Sequence, residues 1–210
     1  MEMFHPVLIV VFLGLLQGRP AESAAATENS NVVFTRWGHE GCPNSTSLVY
    51  KGVMGSKFHS TVGSFVNYIC LPDEPIYGTV ETGVQNDRAL VYATEYRGST
   101  GPFNVHRYFD VPCAVCKDEL HSNIILYPAR SDCPSGWDVE YYGFLMSAAY
   151  NSQSTEYVCL DVEGARVTGT GSSTNQGMLY PVEVTCNNGA AILCSPYVHG
   201  NELSCAVCAY

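Results

Sequence analysis

Two identical tetrads, Cys113-Ala114-Val115-Cys116 and Cys205-Ala206-Val207-Cys208, carry the residue types and spacing that most directly suggest chemistry. A Cys-x-x-Cys can be a dithiol redox centre or one half of a tetrahedral zinc site. It can also belong to two separate disulfides. In a strand, residues three apart point to opposite faces, so each cysteine reaches a different partner more readily than its neighbour. For Cys113 and Cys116 those partners within the same segment are Cys42 and Cys70. Ten cysteines, an even number, fit five bridges, and structural disulfides are the expected state, with zinc and redox chemistry as the alternatives. Cys186 and Cys194 flank Asn187-Asn188-Gly189, which suits a tight turn, so a bridge clamping a hairpin is expected there.

Other reactive constellations are sparse. The chain has no Gly-x-Ser-x-Gly elbow, His-Glu-x-x-His, phosphate loop or EF-hand loop. His39, His59, His106, His121 and His199 are scattered. Asp73-Glu74, Asp118-Glu119 and Asp161 with Glu163 are small carboxylate groups without the dense alternation of a calcium loop, and solvated surface charge is the expected reading. Glu95 and Glu183 would make an acid/base pair only if they faced one cleft about 5–9 Å apart. The expectation is therefore a non-enzyme without cofactor or metal. Twenty acidic residues against ten basic ones give a net charge of −10, which removes the electrostatic footprint of a nucleic-acid binder.

The elements that would position these residues begin after a secretory signal. Residues 7–16 form an uninterrupted apolar run, too short for a bilayer span of about 20 residues, and small side chains follow it. The sequence predicts a signal peptide over 1–23, a short tail over 24–31, and no membrane insertion. Secretion places the cysteines in an oxidising compartment, and the sequon Asn44-Ser45-Thr46 fits the same compartment.

The cysteines then repeat in register. Cys42 and Cys133 are 91 residues apart, Cys70 and Cys159 are 89 apart, and Cys113 and Cys205 are 92 apart. Flanking residues repeat with them: Cys42-Pro43 answers Cys133-Pro134, Tyr68-Ile69-Cys70-Leu71 answers Tyr157-Val158-Cys159-Leu160, and Tyr92 with Glu95 answers Tyr180 with Glu183. The mature chain is read as two homologous modules, 32–117 and 120–210, joined by Lys117-Asp118-Glu119 and packed with pseudo-twofold symmetry. Short runs rich in β-branched and aromatic residues predict strands at 48–50, 65–71, 89–96, 123–127, 137–144, 157–161, 178–185 and 191–193, with a short helix as an option at 143–150. The predicted fold is mostly β, disulfide-rich, with long loops.

Several of these segments resemble a known family. They include Phe34-Thr35-Arg36-Trp37-Gly38 leading to Cys42-Pro43, Asn67-Tyr68-Ile69-Cys70-Leu71-Pro72, Asp110-Val111-Pro112-Cys113, Cys133-Pro134-Ser135-Gly136-Trp137 and Glu140-Tyr141-Tyr142-Gly143-Phe144-Leu145-Met146-Ser147. Together they are similar to the marine-invertebrate module at the C-terminus of short-chain-collagen-like proteins, and to the free-standing galactose- and galacturonate-binding lectins of the sponge and sea-hare egg type. No Gly-X-Y tract is present, so the resemblance is to the free-standing lectins.

The resemblance implies a secreted, disulfide-bonded, homo-oligomeric lectin that agglutinates cells through galactose-containing or uronic-acid glycans, with a role in innate immunity. An extracellular structural or adhesive module is the alternative. A galactoside is held by an aromatic face and by planar polar groups on loops. By that chemistry the candidates are Arg36, Trp37 and His39 near the start of the first module. Asn104, His106, Arg107, Tyr108 and Asp110 are the candidates in the loop before Cys113.

Overall fold

A computed structural model of the chain describes residues 31–99, 101–186, 192 and 194–210. The expected signal peptide, nearly all of the short tail, the Asn187-Asn188-Gly189 turn and residues 191 and 193 of the expected strand 191–193 lie outside the described residues.

The described fold is mostly β. Its ten strands are β1 (Val32–Trp37), β2 (Thr46–Ser56), β3 (Ile69–Pro72), β4 (Tyr92–Tyr96), β5 (Pro112–Asp118), β6 (Ile124–Pro128), β7 (Asp138–Ser147), β8 (Val158–Asp161), β9 (Gly177–Pro181) and β10 (Ser204–Ala209). The single helical element among the described residues is a 3-10 turn at Asn104–His106, and no helix there is long and apolar enough to cross a membrane. Residues 143–147, part of the optional helix, are strand. Their apolar run loses the two-residue alternation because β7 pairs β10 and then β9 along one edge and β8 along the other. The predicted strands leave out β1, β5 and β10, although all three are central to the pairing.

The strands run in the order β6-β10-β7-β8-β1-β5-β2-β4-β9, and a further β9–β7 pairing closes a circuit. Pairings among β1–β5, and among β6–β10, are all antiparallel. The two pairings that join the first set to the second are both parallel: Trp37 of β1 opposite Leu160 of β8, and Thr94–Tyr96 of β4 alongside Gly177–Leu179 of β9.

The core is shared across these seams. One buried cluster joins Met54, Tyr96 and Val111 to Met146, Leu160 and Leu179, and a second joins Phe34 and Cys116 to Tyr141, Cys159 and Val207. Tyr141 stitches the second cluster by donating its hydroxyl to the carbonyls of Thr35 and Cys159, each at 3.1 Å.

All ten cysteines are bonded: Cys42–Cys116, Cys70–Cys113, Cys133–Cys208, Cys159–Cys205 and Cys186–Cys194. Each Cys-x-x-Cys therefore sends its two sulfurs to different partners, as residues on opposite faces of β5 and β10 must, and the zinc and redox alternatives for these tetrads fall away. No bridge crosses from the first set of strands to the second.

Several local features occur twice at corresponding places. The β2–β5 ladder shifts register at Val49, and the β7–β10 ladder shifts at Glu140. A Cβ on Gly52 would lie 1.6 Å from the Leu71 carbonyl oxygen, and one on Gly143 would lie 1.8 Å from that of Leu160. Gly38 and Ala129 both have positive φ, 92° and 62°, and their amides donate to the carbonyls of Pro112 and Ser204, each at 2.8 Å.

Candidate functional site

The sequence-predicted residues fall into two groups that approach the loop 161–167 from opposite sides. Arg36 lies in β1 between β5 and β8 and is only 8% exposed. Its Nε donates to Asp161 Oδ2 at 2.5 Å, its Nη1 donates to the Gly41 carbonyl at 3.1 Å, and Nη2 lies 3.5 Å from Glu163. The guanidinium is thus occupied inside the protein rather than offered to a ligand. Trp37 ends β1, partly buried against the core and the Cys70–Cys113 bridge. His39 accepts the Gly41 amide on Nδ1 at 2.9 Å, which shapes the turn after β1.

In the second group, Asn104 is exposed on the 3-10 turn, and the His106 ring packs 5.4 Å from Tyr96. Burial pushes the His106 imidazole below its ordinary range, and its Nδ1 has no hydrogen-bond partner. The Arg107 guanidinium stacks 4.4 Å from the Tyr108 ring centre, and the Arg97 guanidinium approaches the same ring at 4.9 Å. Asp110 donates its amide to Thr170 Oγ1 at 3.0 Å. Burial, reinforced by the nearby Glu95 carboxylate, pushes the Asp110 carboxyl up to about 6.

Loop 161–167 joins the groups. The Ala165 amide donates to the Gly38 carbonyl at 2.6 Å, the Tyr96 hydroxyl donates to the Ala165 carbonyl at 2.6 Å, and Arg166 Nη1 donates to the Val105 carbonyl at 3.4 Å. The two groups share a support without converging on a common cavity. Glu95 is fully buried, held by Arg97 Nη2 at 2.5 Å and by the amide and hydroxyl of Thr174. Glu183 is exposed and forms a backbone bridge with Glu202, so the two glutamates occupy different environments.

Arg36, with Asp161 and Glu163, borders a concavity of about 240 Å³, and the two grooves lined by exposed aromatic rings lie elsewhere. A groove of about 240 Å³ opens along the β1–β8 seam, where Thr35 and Trp37 face Tyr141, Glu156 and Tyr157. A second groove, of about 620 Å³, is bordered by Ser147, Tyr150, Tyr157, Tyr180, Glu183 and Thr185. Tyr157, 56% exposed, borders both. Glu156 and Glu183 are exposed, and neither carboxylate makes an ion pair or side-chain hydrogen bond among the described residues.

Aromatic faces beside free acceptor oxygens can hold a neutral polyol, with C–H groups on the rings and hydroxyls donating to the carboxylates. Of the residues chosen from the sequence, only Trp37 reaches these grooves. Tyr157, Tyr180 and Glu183 were visible in the repeat pattern but read there as markers of register. No protein-family model matches the chain.

Proposed function

We propose that this chain is a secreted galactoside-binding lectin built from two tandem modules, 32–117 and 120–210, related by a pseudo-twofold axis. The duplication is supported by the paired disulfide pattern, the paired register shifts at Val49 and Glu140, and the paired glycine approaches at Gly52 and Gly143. Five disulfides on a β frame are compatible with an extracellular protein.

The observation that carries the sugar reading is exposed Tyr157 between two grooves, with Trp37 on one side, Tyr180 on the other, and the unpaired carboxylates of Glu156 and Glu183 beside them. This lining favours neutral galactose over galacturonate, because a uronate would meet two like charges. The corresponding residues of the first module are used internally: Tyr68 is buried with its hydroxyl 2.7 Å from Thr155 Oγ1, and Glu95 is buried against Arg97. The proposal is therefore one groove per chain, so agglutination requires a homo-oligomer to supply multivalency.

Titration of the mature protein with galactose, lactose and galacturonate tests this reading, together with haemagglutination and its inhibition by the same sugars. Tyr157→Ala is expected to weaken galactoside binding about fivefold or more, the loss of roughly 1 kcal/mol of aromatic contact, with no change in thermal stability. Failure to bind any sugar on a broad glycan array would remove the lectin reading and leave an adhesive module. Galactoside binding unchanged in Tyr157→Ala would remove this groove as the site.

A further inference from the structure

The strand sets are joined covalently only by the chain between β5 and β6, and that connection carries a cluster the sugar site does not use. Asp118, the last residue of β5, is fully buried. Its Oδ1 accepts the amides of Leu120 at 2.7 Å and His121 at 3.2 Å, which folds the connector back and leaves Oδ2 facing His121 Nδ1 at 2.6 Å. Glu140 comes from β7 of the other set, and its Oε1 lies 4.0 Å from the same nitrogen. Ligand atoms of Asp118, His121 and Glu140 all fall within 4.8 Å of one another.

Two further observations bear on this cluster. The Glu140 side chain is only 2% exposed, and its Oε2 has the Ser45 hydroxyl at 3.5 Å. The register shift in β7 turns this carboxylate inward, whereas Val49 at the matching shift in β2 is 55% exposed. On the far side of the imidazole, His121 Nε2 lies 3.1 Å from Asp138 Oδ2. A carboxylate behind the ring is the arrangement that fixes a metal-binding histidine, since it takes the Nε2 proton and directs the Nδ1 lone pair at the ion.

We propose that Asp118, His121 and Glu140 bind one divalent first-row transition ion of the zinc type, with Asp138 as the positioning residue, and that the ion pins β5 to β7 across the connector. An imidazole nitrogen with two carboxylates suits zinc, and calcium would demand six to eight oxygens. Three protein ligands leave a fourth tetrahedral position for water.

The test is isothermal titration calorimetry of the full mature protein, freed of metal with EDTA, against zinc chloride and calcium chloride separately, with thermal melting in parallel. The expected result is saturable binding of one zinc per chain, a higher melting temperature with zinc, and no comparable calcium binding. His121→Ala, at a partly exposed position, is expected to weaken zinc binding at least tenfold. Glu140→Gln is expected to do the same, and Asp138→Asn to weaken it about tenfold. Absence of zinc binding, preference for calcium, or zinc affinity unchanged in folded His121→Ala would each overturn the proposal.

Discussion

The pair Arg36–Asp161 gives the sharpest test of how the two strand sets are held together. Both side chains are buried, at 9% and 2% exposure, and the Nε–Oδ2 distance is 2.5 Å. Arg36→Met would leave the Asp161 carboxylate inside the protein with the Glu163 amide, 2.8 Å from Oδ1, as its remaining donor. Removing one partner of such a pair costs about 3–5 kcal/mol, because the other charge stays buried without compensation. For a chain of this size that is a drop of about 6–20 °C in melting temperature. The double variant Arg36→Met/Asp161→Leu replaces both charges by apolar groups and is expected to recover most of the loss, giving a large coupling in the double-mutant cycle. The assay is calorimetric melting of the oxidised protein, with galactoside affinity measured on the same samples. Loss of sugar binding in Arg36→Met with a melting temperature within about 2 °C of the parent would refute the reasoning, because it would make this arginine a ligand contact rather than an internal tie.

Two other perturbations follow from the same frame. The folded state holds the Asp110 carboxyl at about 6 against 3.8 for the free group, chiefly through burial and then through Glu95, so the folded protein binds this proton more tightly than the unfolded one. The stabilisation is present below 3.8 and is lost as pH rises through about 6. Asp110→Asn, which stays neutral, is therefore expected to gain melting temperature relative to the parent as pH rises through that window, and a difference independent of pH would contradict it. Gly52→Ala and Gly143→Ala each drive a Cβ into a strand carbonyl at 1.6 and 1.8 Å, and backbone cannot swing aside as a side chain can. Both are expected to block folding or to lower stability by at least about 3 kcal/mol. Gly63→Ala, with nothing within 4 Å of its Cβ, is expected to fold normally; equal tolerance at all three positions in secretion and melting assays would contradict the close approach.

What the sequence revealed and what it hid have distinct physical origins. Cysteine spacing predicted that Cys113 and Cys116 bond outward to Cys42 and Cys70 rather than to each other, because strand alternation is a local rule that holds wherever β5 lies in the sheet, but it left open which sulfur takes which partner. β1 was missed because Arg36 occupies an inward position that alternation reserves for apolar side chains, so the segment reads as a polar loop. Asp161, which makes that position tenable, is 125 residues away. The same distance effect misassigned Asp118, which reads as connector surface charge and is fully buried beneath His121 and Glu140.

The Trp37–Tyr157 groove was illegible for a related reason. It opens at the parallel contact between β1 and β8, and that contact consists of one paired residue on each strand, Trp37 and Leu160. No repeat or periodicity encodes a seam so short. Contacts within each strand set follow from local pattern and disulfides, whereas this groove, the Arg36–Asp161 tie and the Asp118–His121–Glu140 cluster all arise where one set meets the other. Substitutions that shift the docking of the two sets should therefore disturb these features together while leaving every disulfide intact. Disulfide mapping alone would then report a native protein whose groove had been lost.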